Sequence, residues 1–118
     1  YRRLIRQARQ WLDVRLLVPQ ENDVCLMRWM IPPILNHLQK KGVKIYIYKP
    51  RFLHQKLLIV DDWICLGSTN LNHRSFLHDL EMDVVVTHDK NKDFLLNDFL
   101  NDLKMSESFD SSEWAHLP

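Results

Sequence analysis

Between His54 and Glu81 the sequence gathers residue types that can act on an anion. His54 and Lys56 lie two apart at the start of a predicted strand, so both side chains point to one face of a sheet. An imidazole beside an ammonium at a sheet edge suits an anionic substrate. The lysine charge draws in phosphate and favours the neutral, nucleophilic form of the ring. After four intervening residues Asp61 closes that strand at a turn. Gly67-Ser68-Thr69-Asn70 then supplies a glycine that lets backbone approach a ligand, a hydroxyl and a carboxamide. Those polar groups can hydrogen-bond the non-bridging oxygens of a phosphate. Glu81 opens the next predicted strand and can accept the second ring N–H of His54, fixing its tautomer. Each residue alone has an ordinary structural use. The functional reading rests on their joint occurrence in register.

The elements that must position these groups alternate helix and strand. Leu4, Ile5, Ala8, Trp11 and Leu12 share one helix face, opposite Arg2, Arg3, Arg6 and Arg9. Residues 14–18 read as a strand stopped by Pro19. Residues 24–41 read as a second helix, interrupted at Pro32-Pro33, with Lys40-Lys41 in its last turn and Gly42 just beyond. A strand is predicted over 43–48, a tight hairpin over 56–60 and 63–66 around Asp61-Asp62, a strand over 81–87, and a helix over 93–104. This order predicts an α/β fold, a mixed β-sheet flanked by helices. Residues 1–104 form the expected domain. Residues 105–118, rich in Ser and acid, are expected to be a loose tail.

Composition narrows the classes further. A chain of 118 residues with 46% hydrophobic and 26% charged residues can bury a core, which excludes global disorder. The net charge of +1 conceals a division. Residues 1–60 carry 12 Lys/Arg against 3 Asp/Glu, and residues 61–118 carry 4 against 12. Such a chain presents two faces of opposite charge, or folds its halves together. Cys25 and Cys65 match neither a CxxC nor a metal-ligand spacing, and read as reduced, buried thiols. No run reaches the ~20 apolar residues of a membrane span. A start at Tyr1 is read as a fragment of a longer polypeptide.

His54-x-Lys56-(x)4-Asp61 followed by Gly67-Ser68-x-Asn70 resembles the HKD motif of the phospholipase D superfamily. The wording from Phe52 to Asp61 and from Gly67 to Ser75 is similar to its bacterial cardiolipin synthase branch, as are residues 42–46 and 14–19. The likeness runs to about Lys104 and points to the second half of such synthases. One departure is visible: five residues separate Asp61 from Gly67 where the family has six, so the hairpin is shorter by one.

The resemblance implies a role for each site residue. His54 attacks phosphorus to give a phosphohistidine, or serves as general acid and base. Lys56 and Asn70 bind the phosphate with help from Ser68, Glu81 orients His54, and Asp61 mainly supports the hairpin. It also implies one half of a two-repeat fold. The second HKD motif would come from a longer chain or from a second copy in a homodimer. No cofactor and no metal are implied, since Lys and Asn stabilise the transferring phosphoryl group electrostatically. A phosphatidylglycerol-like phospholipid at the cytoplasmic face of a bacterial membrane is the implied substrate and place.

Three readings follow. The first is a phosphatidyltransferase making cardiolipin or a related lipid. The second is a hydrolase or nuclease cleaving another phosphodiester, although the interleaved basic and aromatic residues of a strand-tracking groove are missing. The third is a non-catalytic half-site. The apolar stretch 24–31 reads as a helix buried against the other half or as an element contacting acyl chains.

Overall fold

The structure is a computed structural model that describes residues 2–10, 12–20, 25–50, 53–70, 75 and 77–110, with the side chains of 25–29 outside the description. Trp11, residues 71–74 and residues 111–118 also lie outside it. The chain forms two compact units. One holds the residues through Leu53 and from Asp102 onward, the other His54–Asn101.

The first unit contains α1 (Arg2–Arg9), β1 (Arg15–Pro19), α2 (Cys25–Gln39) and β2 (Lys44–Tyr48). Strand β1 runs parallel to β2, pairing Leu16 with Ile45 and Val18 with Ile47. These positions share one sheet face because the side-chain period is two. Against them pack Ile31, Ile34, Leu35 and Leu38 of α2 and Ile5 and Ala8 of α1. The recurrence at i, i+3, i+4 and i+7 makes α2 continuous over this stretch. It remains helical through Pro32 and Pro33, where an interruption was expected: beyond the pair Leu35 and Leu38 are buried, and Ile31 and Ile34, partly buried, pack on the same core. Pro19 also falls inside β1 rather than after it, at the end of an edge strand where a missing N–H is tolerated.

Helix α2 ends in a Schellman turn. The N–H of Val43 donates to the Leu38 carbonyl (3.2 Å) and that of Gly42 to the Gln39 carbonyl (3.0 Å). Gly42 has φ 96°, which a side chain would oppose. Leu38 and Val43 then meet in the core, the apolar contact that accompanies this cap.

The segment expected to be a loose tail is in part structured. Ser106–Ser108 form β6, antiparallel to β2, and make the sheet mixed, in the order β1-β2-β6. Phe109 is 2% exposed, donates its N–H to the Ile45 carbonyl and accepts Gln39 Nε2 at 2.8 Å. Composition averages over the stretch and misses one aromatic anchor beside an open strand edge.

The second unit contains β3 (Lys56–Val60), β4 (Trp63–Gly67), β5 (Asp83–Val86) and α3 (Asp89–Lys104), whose last turn belongs to the first unit. Its strands form an antiparallel meander, β3-β4-β5, so the described strands make two sheets rather than one. Ile64 is buried on one face. Leu58, Val60, Trp63 and Val85, which alternate onto the other, are exposed. Cys65 is a free, half-buried thiol. Among the described residues no helix is long and apolar enough to cross a membrane.

Two predictions test these contacts. Phe109→Ala removes a fully buried ring and lowers stability by about 3–5 kcal/mol, whereas Phe109→Leu costs less than about 1.5 kcal/mol. Denaturant midpoints of the two variants decide whether the segment after α3 anchors the sheet, and near-equal midpoints would refute it. The second concerns Asp13, which accepts Arg15 Nε at 2.9 Å and pairs with Lys44 Nζ at 2.9 Å across the β1–β2 register. The Arg15 hydrogen bond, then that of Lys44, hold its carboxyl at about 2, below the ordinary 3.8. A carboxyl lowered on folding stabilises the fold above 3.8, and that contribution disappears as pH falls to about 2. Because the pair is exposed and screened, Asp13→Asn costs at most about 1 kcal/mol at neutral pH. It also flattens the acid limb of thermal stability, and an unchanged limb would exclude the linkage.

Candidate active site

The site residues gather because of the hairpin register. Strands β3 and β4 pair without interruption from Val60↔Trp63 to Lys56↔Gly67, leaving Asp61-Asp62 as a two-residue turn. Two-residue turns that match strand twist need positive φ at the first central position, and Asp61 takes φ 54° there. Aspartate tolerates this left-handed region better than most residues. Asp61 therefore sits at the hairpin tip, the opposite end of β3 from Lys56. The hairpin shorter by one closes with no bulge, and it sets Gly67 directly opposite Lys56.

On its other side β4 pairs with β5, ending at Gly67↔Asp83. Lys56, Gly67 and Asp83 thus form one row across three strands. The chain enters β3 just after His54, leaves β4 into Ser68–Asn70, and enters β5 just after Glu81 and Met82. All these polar groups lie at one end of the sheet: Lys56 and Asp83 open their strands, and His54, Ser68, Asn70 and Glu81 lie just outside a strand. Glu81 lies two residues ahead of β5 and so does not open the strand, as the sequence predicts it to.

Lys56 Nζ is 2.8 Å from His54 Nε2, 3.1 Å from its Nδ1 and 3.0 Å from its carbonyl oxygen. The ammonium donates to whichever ring nitrogen carries no proton. Both side chains reach solvent, His54 being exposed and Lys56 half-buried. Glu81 accepts the Ser68 hydroxyl at 2.5 Å, a charge-assisted bond. The same Ser68 oxygen accepts the Met82 N–H at 3.0 Å, and the Ser68 N–H donates to the Met82 carbonyl at 3.1 Å. Asn70, exposed, ends the described part of this strip. The resembling segment continues through His73 and Arg74, which lie outside the described residues.

One contact was not anticipated. The Asp83 carboxylate accepts both the Thr69 N–H, at 3.2 Å, and the Thr69 hydroxyl. Neither residue carries a sequence signal, because the two are 14 positions apart and of common turn and strand-end types. Only the register of β4 on β5 joins them.

Comparison with known proteins bears on the family of the chain. The family model described as cardiolipin synthase, phospholipase D-like domain, matches residues 1–103. A cardiolipin synthase of Geobacillus sp. is 34% identical over 91% of this chain and 22% of its own length. Cardiolipin synthase B of Escherichia coli is 35% identical over 83% of this chain and 24% of its own. The major cardiolipin synthase of Bacillus subtilis is 30% identical over 91% of this chain and 22% of its own. The chain thus spans about a fifth of the length of these relatives. Among solved structures, the phospholipase D family member Nuc from Salmonella typhimurium superposes with a TM-score of 0.76, covering 92% of this chain and 71% of that one at 17% identity. At that identity the likeness speaks for the fold alone. Taken with a family match that spans residues 1–103, it means that this chain belongs to the phospholipase D-like domain family of the cardiolipin synthases.

Proposed function

We propose that this chain supplies one half of a phosphodiester-exchange site that transfers a phosphatidyl group between phospholipid alcohols, as in cardiolipin synthesis. The observation that carries the reading is the Lys56 ammonium held against both ring nitrogens of His54, beside the polar strip 68–70. An anionic phosphate brought to this place meets a cation, a nucleophilic imidazole, and the carboxamide of Asn70.

In the reaction the unprotonated ring nitrogen of one motif histidine attacks phosphorus. The P–O bond to the leaving alcohol breaks, and the histidine of the other motif protonates the departing oxygen. An acceptor alcohol then attacks the phosphohistidine. It gives its proton to that second histidine, and the first is released. His54 fills either role, according to which motif attacks. Lys56 and Asn70 stabilise the charge that develops on the phosphoryl oxygens. Glu81 orients the imidazole, Ser68 holds Glu81, and Asp61 keeps the hairpin.

The second HKD half belongs to a longer chain or a second copy. The exposed apolar face of Leu58, Val60, Trp63 and Val85 supports such a complement. A phospholipid substrate places the work at a bilayer surface, and the relatives, named as bacterial cardiolipin synthases, support that location. Hydrolysis is the second reading, because water in place of the acceptor alcohol completes the same phosphohistidine chemistry.

Incubating the full-length protein that contains this chain with phosphatidylglycerol, and separating the products by thin-layer chromatography, tests the reading. Cardiolipin with glycerol is the expected outcome, phosphatidic acid would move the assignment to a hydrolase, and no product would point to a non-catalytic half. His54→Ala lowers turnover by at least about a hundredfold, the minimum for losing a positioned acid–base group. Full turnover in that variant would remove His54 from the mechanism.

A further inference from the structure

Three consecutive residues, the last of β4 and the two that follow it, are each tied to the start of β5 or its approach, by different means. Gly67 makes the last backbone ladder pair, with Asp83. Ser68 continues the pairing one step beyond it, through its N–H to the Met82 carbonyl and its hydroxyl to Glu81. At Thr69 the partner is a side chain: both Asp83 carboxylate oxygens take Thr69 donors, one the N–H and the other the hydroxyl. A carboxylate that accepts two donors of one residue restrains rotation as well as distance.

The place is shaped to admit that carboxylate. A Cβ at Gly67 would lie 2.1 Å from Asp83 Oδ1, 2.4 Å from the Met82 carbonyl oxygen and 2.6 Å from Asp83 Cα. Two of these atoms are backbone, so no side chain fits at position 67 without displacing β5. The absence of a side chain at Gly67 thus leaves the room that the Asp83 carboxylate fills on its way to Thr69. Thr69 in turn is flanked by Ser68, which holds Glu81, and by Asn70.

We propose that Asp83 is a positioning residue for the phosphate site, clamping Thr69 over the side-chain-free Gly67 so that Ser68 and Asn70 are presented in a fixed pose. This rests on the reading of the site as a phosphodiester site. Asp83 does not touch substrate. It acts through Thr69 on the Asn70 carboxamide and, through the Ser68 that precedes it, on Glu81. Positioning of this kind shows first in the binding of the anion, because a strip free to move meets the phosphate less often in the productive pose.

The test uses the full-length protein that contains this chain, with titration of inorganic phosphate by calorimetry and turnover of phosphatidylglycerol measured side by side. Asp83→Ala raises the phosphate Kd and the KM for lipid at least tenfold, with a smaller fall in kcat. Thr69→Val keeps the backbone and its N–H donor but loses the hydroxyl, and raises both constants three- to tenfold at unchanged Tm. Thr69→Ser, which keeps both donors, restores the wild-type constants. The double variant binds phosphate no more weakly than Asp83→Ala, since both remove one shared interaction.

Phosphate binding and KM within twofold of wild type in folded Asp83→Ala and Thr69→Val would overturn the clamp while the phosphodiester reading stands. Additive losses in the double variant would overturn it too. A wild-type protein that neither binds phosphate nor turns over lipid overturns the phosphodiester reading, and the proposal with it.

Discussion

The candidate site depends on the register of one short three-stranded meander, β3-β4-β5. A strand alternates its side chains with a period of two, so a slip of one residue would send every group to the wrong face. Here the register is held at both ends. At the tip, a two-residue turn requires left-handed backbone, and Asp61 accepts it. At the other end, the crowding of Met82 and Asp83 over Gly67 admits no side chain. Between these constraints lie five uninterrupted pairs, and Lys56 is delivered opposite Gly67. The strip after β4 follows from that placement, whereas the histidine–lysine contact is local, between residues two apart.

The first unit achieves its order differently, through burial. Leu35, Leu38, Val43, Ile45, Ile47 and Phe109 close a single core between α2 and β2. The turn between these two elements is set by a glycine whose positive φ satisfies the last helix carbonyls. The second unit has few buried residues among those described, and much of its apolar sheet surface faces solvent. Its geometry relies on backbone pairing and on side-chain ties such as Ser68–Glu81 and Thr69–Asp83. Ties of this type are individually small and solvent-screened.

Legibility from sequence followed the same division. Helices α1 and α2 and strands β1 to β4 announced themselves through periodicity and through Pro, Gly and Asp-Asp punctuation. Some errors fell where a distant partner overrides local signals, and one at a helix end. Pro32 and Pro33 read as an interruption, yet α2 runs across them and buries Leu35 and Leu38 just beyond. Residues 106–109 read as loose because serine and acid dominate them. The open edge of β2 and a pocket for Phe109 decide otherwise. The first turn of α3 begins at Asp89, ahead of the apolar repeat that signalled the helix, because helix ends are set by capping and charge rather than by burial.

For the site, residue types and spacing by themselves determined which groups could act on a phosphate: His54, Lys56, Ser68, Asn70 and Glu81, with Asp61 at the turn. Those are short-range facts, readable because strand alternation and turn chemistry act over a few residues. The net charge, by contrast, averaged over a basic first half and an acidic second half, and so said nothing against an anionic substrate. Only the tertiary structure decided that Gly67 faces Lys56 on one side and Asp83 on the other. It alone decided that Ser68 spends its hydroxyl on Glu81 and Met82, and that Thr69 is tied to Asp83. The physical reason is that pairing between β4 and β5 joins residues 14 positions apart, and such a contact is specified by the register of the sheet rather than by any local preference of the residues it joins.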